Sequence, residues 1–270
     1  MNISRLELGN KPLYFLHIPK TAGTTFISAL HAWFPADKVC PAYLWRDLLE
    51  ISREALATYR LFRGHFYDYI YRVLPIRPIY ITSLRNPVQR SLSHYEHVRR
   101  EPGHYFHQRT LSQDGLVDFL RDPETRTMIK DFQTRSLALD LDPVQIAATL
   151  NQQQTNDLTL ERILESTLPN KISNQALLDL PETRLEQFAF VGIVERFKES
   201  VEAFSRMLET EPSAALHALN ISPERELRQY ISQDMLELIL ENTQIDAELY
   251  EYGRTLFAAQ LGQMTVSCTD

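Results

Sequence analysis

Along the chain, short unbroken apolar runs alternate with longer stretches whose apolar residues recur at helical spacing. Residues 13–18, LYFLHI, are the first such run, and from Thr24 the segment TTFISALHAWF suits a helix packed on a sheet, so the two make a βα unit. LWRDLLEISREALATY, 44–59, reads as a helix. RLFRGHF is a second strand ending near Gly64 and His65, and PIYITSL, 78–84, is a third. Asn86 suits an N-cap and Pro87 the first helical position, which predicts a helix through VQRSLSHYEHVRR directly after that strand. Farther on, EPGHYFHQRT reads as a loop, while LVDFLRD and TRTMIKDFQTRSLAL read as helical. FAFVGIVE, 188–195, is another strand, RFKESVEAFSRMLE an amphipathic helix, and ISQDMLELILENTQIDAELYEYGRTLFAAQL strongly helical. Strands alternating with helices imply an α/β fold of three layers, a mainly parallel sheet flanked by helices, with a helical C-terminal part. Ligands of such sheets bind at the carboxyl ends of the strands. Segment 142–185 carries the weakest pattern, and its polar NQQQTN run suits a helix end or an insertion.

No internal repeat and no linker rich in Gly, Pro or Ser divides the 270 residues, so a single domain over 1–270 is expected. A hydrophobic content of 44% fits a folded globular chain and excludes a disordered one. The net charge of -7 argues against nucleic acid or an anionic membrane surface as partner and leaves small molecules. Cys40 and Cys268 stand far apart without metal-ligand spacing, so neither a disulfide framework nor a zinc site is expected, and a reducing compartment is the default. The N-terminal apolar run is too short for a secretory signal, and no stretch approaches the ~20 apolar residues of a membrane span. A cytoplasmic protein is expected.

The segment FLHIPKTAGTTF, 15–26, resembles a phosphate-binding loop between strand and helix, but Lys20 comes before the glycine rather than after it. Backbone N–H groups at a helix start are unpaired and partly positive, so the loop from Lys20 through Ala22 to Thr25 can wrap an oxyanion. Gly23 lets the backbone come close, and Thr21, Thr24 and Thr25 add hydroxyl donors. A tight turn with a threonine cap is the plainer alternative. A P-loop-like fold follows from the first reading. A magnesium-dependent kinase of that fold needs an acidic residue near the metal, commonly at the end of a neighbouring strand. Here the strand ends in Arg85, which can fork onto a phosphate but cannot hold magnesium, so no metal is expected. Ser93 lies seven positions after Asn86, about two helical turns. It therefore shares the face of the cap, and Arg85 and Ser93 can grip one phosphate between them.

HIPKTAGTT together with LRNPVQRSLSHY resembles the two cofactor signatures of sulfotransferases that use 3′-phosphoadenosine 5′-phosphosulfate (PAPS), closest to the group of the heparan sulfate 2-O-sulfotransferases. RGHF at 63–66, FQTRSLA at 132–138, FVGIVERFKESV at 190–201 and DAELYEYGRTLF at 246–257 extend the likeness over most of the chain. The resemblance implies that Lys20, Thr21, Ala22, Gly23, Thr24 and Thr25 surround the 5′-phosphosulfate and that Arg85 and Ser93 hold the 3′-phosphate. His17 stands where some relatives carry an arginine and is a further cofactor contact. PAPS is the implied co-substrate and 3′,5′-diphosphoadenosine (PAP) the product. The acceptor hydroxyl belongs to a carbohydrate, lipid or secondary metabolite.

Sulfuryl transfer requires alignment of donor and acceptor and neutralisation of the leaving phosphate, a task that suits Lys20. The acceptor proton needs a base, and a histidine fits. His65 is preferred because it follows a strand through Gly64 and because RGHF resembles the family segment that carries the base; a structural histidine under a loop is the alternative. His94, inside a helix, reads as structural, and His104 and His107 as residues of a loop bordering the acceptor cleft. The competing functions are a small-molecule kinase with an atypical phosphate loop and a catalytically silent nucleotide-binding protein.

Overall fold

The structure, a computed structural model, describes residues 6–112, 114–139, 174–211 and 231–266. Among these, β1 (Leu13–Leu16), β2 (Leu61–Gly64), β3 (Ile79–Leu84) and β4 (Phe190–Ile193) pair in the order β2-β1-β3-β4, every pair parallel. The helices are α1 (Gly23–Trp33), α2 (Trp45–Leu49), α3 (Arg53–Leu56), α4 (Pro87–Arg100), α5 (Gly115–Arg121), α6 (Phe132–Ala138), α7 (Asn174–Gln187), α8 (Phe197–Met207), α9 (Gln233–Asn242) and α10 (Gln244–Val266). This is the expected α/β architecture.

Successive strand side chains point to opposite faces, so Phe15 and Tyr14 build two separate layers. On the Phe15 face, its ring lies 4.9 Å from Phe26 of α1, and Phe204 of α8 packs on both Phe26 and Phe190, at 5.7 and 5.2 Å. Facing the other way, Tyr14 meets Tyr80 at 5.3 Å and Phe66 at 5.9 Å, and Trp45 of α2 closes on Phe66. These rings are almost wholly buried. Truncating one of them, Phe26→Ala for instance, would cost about 3–5 kcal/mol in lost transfer and cavity energy. The edge of β4 is covered by side chains: Val191 N–H donates to Gln260 Oε1 of α10 at 3.3 Å and Ile193 N–H to Ser200 Oγ of α8 at 3.0 Å. Neither donor is left to pair with another chain.

Three helical expectations divide into shorter pieces. The 44–59 segment divides into α2 and α3 because Ser52 Oγ accepts from Ala55 N–H at 3.2 Å and starts a new turn. In 125–139, Asp131 adopts φ 44° and interrupts the run between a 3₁₀ turn at Thr125–Met128 and α6. The long C-terminal stretch splits at Thr243. The cap on α4 is as expected, with Asn86 Oδ1 accepting from Gln89 N–H at 3.2 Å. The NQQQTN run and Cys268 lie outside the described residues.

Candidate active site

Each strand is followed at once by a residue of one cavity. His17, His65, Arg85 and Val194 come directly after β1, β2, β3 and β4, and all four line a space of about 590 Å³. That space is the crevice expected at the carboxyl ends of a parallel sheet.

The loop after β1 is shaped by two residues with left-handed backbones, Lys20 at φ 72° and Ala22 at φ 57°. Arginines of the neighbouring segment hold its carbonyls. Arg85 Nη1 donates to Lys20 O at 2.8 Å and Arg90 Nη1 to Pro19 O at 3.4 Å. No side chain among the described residues caps α1, so the partial positive charge of its first turn is offered to the cavity that Gly23, Thr24 and Thr25 line. Burial, and then the nearby cations Arg85, Arg90 and Arg100, lower the Lys20 ammonium to about 8. Among the described lining residues are Lys20 and Arg85 and no carboxylate, a donor set suited to anions.

Arg85 is itself braced from behind. Its N–H donates to Gln133 Oε1 and its carbonyl accepts from Gln133 Nε2, both at 2.9 Å. Gln133 lies in the first turn of α6, whose N–H groups there are capped by Asp246 of α10: Gln133 N–H and Thr134 N–H donate to it at 3.1 and 2.7 Å. Asp131 Oδ1 returns the favour, accepting from Ile245 and Asp246 N–H at 2.9 and 3.1 Å. The segments FQTRSLA and DAELYEYGRTLF, each with the residue that precedes it, thus form a reciprocal pair of helix caps behind the arginine. Arg90, fully buried on α4, lies over the Phe132 ring at 4.4 Å and donates to Met128 O.

The histidines after β1 and β2 form a single stack, with ring centroids of His17 and His65 4.8 Å apart. His65 Nδ1 lies 2.8 Å from His17 O. A carbonyl only accepts, so Nδ1 carries the proton and Nε2 keeps a lone pair. Burial lowers the ring to about 4 against a smaller raising effect of that bond, so it is neutral near pH 7. Tyr43 completes the group: its hydroxyl is 2.5 Å from His17 Nδ1, and its carbonyl accepts from His65 N–H at 3.1 Å. Gly64 is required here at φ 146°, since a Cβ would stand 2.3 Å from Tyr43 O. Gly23 is required for a different reason than expected: a Cβ there would lie 1.8 Å from His17 Nε2, so its space belongs to the histidine ring.

Of the residues singled out in the sequence, His17, Lys20, Ala22, Gly23, Thr24, Thr25, His65, Arg85 and Ser93 come together in the cavity. Thr21 does not line it. Its hydroxyl donates to Ile18 O at 2.8 Å and accepts from Ser83 Oγ at 3.2 Å, and its N–H is used by Ile18 O. The side chain therefore serves the turn and is not offered as an anion donor. His107 is also absent from the lining, its Nδ1 donating to Val98 O at 3.1 Å, while His104 does line it. Sequence reasoning missed Tyr43 and His97, both on the wall. Tyr43 carried no signal, but His97 follows His94 by three positions on α4 and could have been found from that spacing.

The sequence profile described as the sulfotransferase family matches residues 8–253. The chain belongs to that family. Heparan-sulfate 6-O-sulfotransferase 3-B of Danio rerio is 26% identical over 278 residues, covering 92% of this chain and 64% of the relative. Heparan-sulfate 6-O-sulfotransferase 2 of Homo sapiens is 25% identical over 280 residues, covering 92% and 45%. The chain thus spans less than two thirds of the length of these relatives. They are 6-O-sulfotransferases, so they support the family-level likeness without supporting the narrower likeness to the 2-O group. Among the described residues no helix is long and apolar enough to cross a membrane.

Proposed function

We propose that the protein transfers a sulfuryl group from PAPS to a hydroxyl of a carbohydrate acceptor. The observation that carries this reading is the meeting of the uncapped start of α1, Lys20, Arg85 and Ser93 with His65 on one cavity. In this reading Lys20 and the first turn of α1 hold the phosphosulfate, and Arg85 with Ser93 holds the 3′-phosphate. His65 Nε2 takes the acceptor proton as the acceptor oxygen bonds to sulfur. The bond from sulfur to the 5′-phosphate oxygen breaks, and Lys20 balances the charge left on that oxygen. An anion beside Lys20 and His65 raises both groups from their lowered values, which restores basicity to the histidine when donor is present. A carbohydrate acceptor is favoured by the named substrate of the relatives.

The test compares PAP with ATP, each with and without magnesium. PAP at 100 times its dissociation constant is expected to stabilise the protein by about 2.7 kcal/mol without metal. A larger, magnesium-dependent shift with ATP would instead support the kinase reading. One domain over 1–270 and a reducing, cytoplasmic setting are part of the same proposal, checked by limited proteolysis and by fractionation of cells expressing the natural protein.

A further inference from the structure

The backbone at Arg85 is held from two sides, and both holds lead to α10. The strand β3 ends at Leu84, in register with Ile193, the last residue of β4. One residue farther, the side-chain amide of Gln133 takes the place of a neighbouring strand, accepting from Arg85 N–H and donating to Arg85 O, both at 2.9 Å. Gln133 is fully buried, and its own N–H donates to Asp246 of α10. From the other side, Asn86 N–H donates to Glu195 Oε1 at 2.9 Å, and Glu195 Oε2 accepts from the Tyr250 hydroxyl of α10 at 2.7 Å.

Asp246, Tyr250 and Gly253 stand at i, i+4 and i+7, on one face of a helix. That face is pressed on the end of β3, because a Cβ at Gly253 would lie 2.4 Å from Leu84 Cδ1. A peptide plane is rigid, so fixing the planes before and after a Cα fixes its φ and ψ and the line along which its side chain leaves. Direction matters for an arginine, since a guanidinium that meets phosphate with two parallel bonds tolerates little rotation. Arg85 Nη1 also donates to Lys20 O at 2.8 Å, which ties the anion loop to the same backbone.

Resting on the sulfuryl-transfer reading, in which Arg85 holds the 3′-phosphate, we propose that Gln133 and Tyr250 are positioning residues for that contact. Through them α10 sets how strongly the site prefers a nucleotide that carries a 3′-phosphate over one that lacks it. A brace serving the fold alone would weaken every nucleotide alike, or none.

The experiment titrates the full chain with PAP and with adenosine 5′-monophosphate, which differs from PAP only in lacking the 3′-phosphate. The wild type is expected to bind PAP the more tightly, by roughly tenfold or more. Gln133→Met keeps a side chain of similar size and removes both bonds to Arg85. It should weaken PAP by roughly tenfold and leave the monophosphate within about twofold. In an Arg85→Ala background the same substitution should change PAP affinity by less than about twofold, because a residue acting through Arg85 then has nothing to position. Tyr250→Phe keeps the ring and removes the bond to Glu195. It should weaken PAP severalfold, sparing the monophosphate, and it decides the matter where Gln133→Met does not fold. Equal losses for the two nucleotides, additive losses in the double variant, or unchanged PAP affinity in the folded variants overturns the proposal and leaves the sulfuryl-transfer reading standing. A wild type that binds PAP no more tightly than the monophosphate removes that reading of Arg85, and the proposal with it.

Discussion

The two histidine groups of the cavity are held in opposite ways. His17 and His65 are fixed by hydrogen bonds to Tyr43 and to the His17 carbonyl, so the tautomer of His65 is set before any ligand arrives. His94 is held by packing, against Phe119 at 6.5 Å and beside His104, with both nitrogens buried and unpaired among the described residues. The contrast teaches that burial alone does not define a role. Both rings are pushed toward the neutral form, yet the proton of one is fixed on Nδ1 by a carbonyl and the nitrogens of the other meet no hydrogen-bond partner among the described residues.

The largest expected effect breaks the preset group at its centre. His65→Ala should lower single-turnover transfer by roughly 10²–10⁴, the usual worth of a general base, with PAP affinity nearly unchanged. A folded variant that transfers at the parent rate would move the base elsewhere on the wall. Arg85→Ala comes next. Losing a hydrogen bond to a charged group costs about 1.5–3 kcal/mol, which is roughly a tenfold to hundredfold loss of PAP affinity. Adenosine 5′-phosphosulfate, lacking the 3′-phosphate, should lose less; equal losses would place Arg85 in the framework alone.

Gly23→Ala tests whether the His17–His65 stack depends on the absence of a side chain at Gly23. The added methyl overlaps His17, so the ring must move, and overpacking of this kind costs about 1–3 kcal/mol in chemical denaturation. Parent stability with an undisturbed stack would contradict the close approach. The smallest effect is that of pH on PAP affinity. Lys20 titrates near 8 in the free protein, and a bound anion raises it, so binding takes up a proton above that value. Affinity governed by this group should be level below about pH 8 and fall by up to tenfold per unit above it. A rise in affinity between pH 8 and 9 would remove Lys20 from the anion site.

Much of the site was legible because its chemistry is local. In HIPKTAGTT and LRNP the strand, the turn and the helix start lie within a few residues of one another, so the pattern itself places Lys20 in the loop, Gly23 at the helix start and Arg85 at a strand end. The partner contributions were not legible. Gln133 reaches Arg85 across 48 positions and Asp246 reaches Thr134 across 112, and nothing in the spacing of either segment announces the other. Thr21 shows the converse error: a hydroxyl in the right motif, turned inward because Ser83 and Ile18 take it first.

By itself, then, the sequence determined the βα order, the parallel sheet and the cationic loop, since apolar periodicity, Pro87, Asn86 and Lys20 act over one or two turns of chain. Only the tertiary structure decided which polar atoms are already paired and which are left for a ligand. That distinction separates Thr21 from Thr24. It arises because hydrogen bonds in a buried site are assigned by proximity in space, and the competitors for each donor come from strands and helices far apart along the chain.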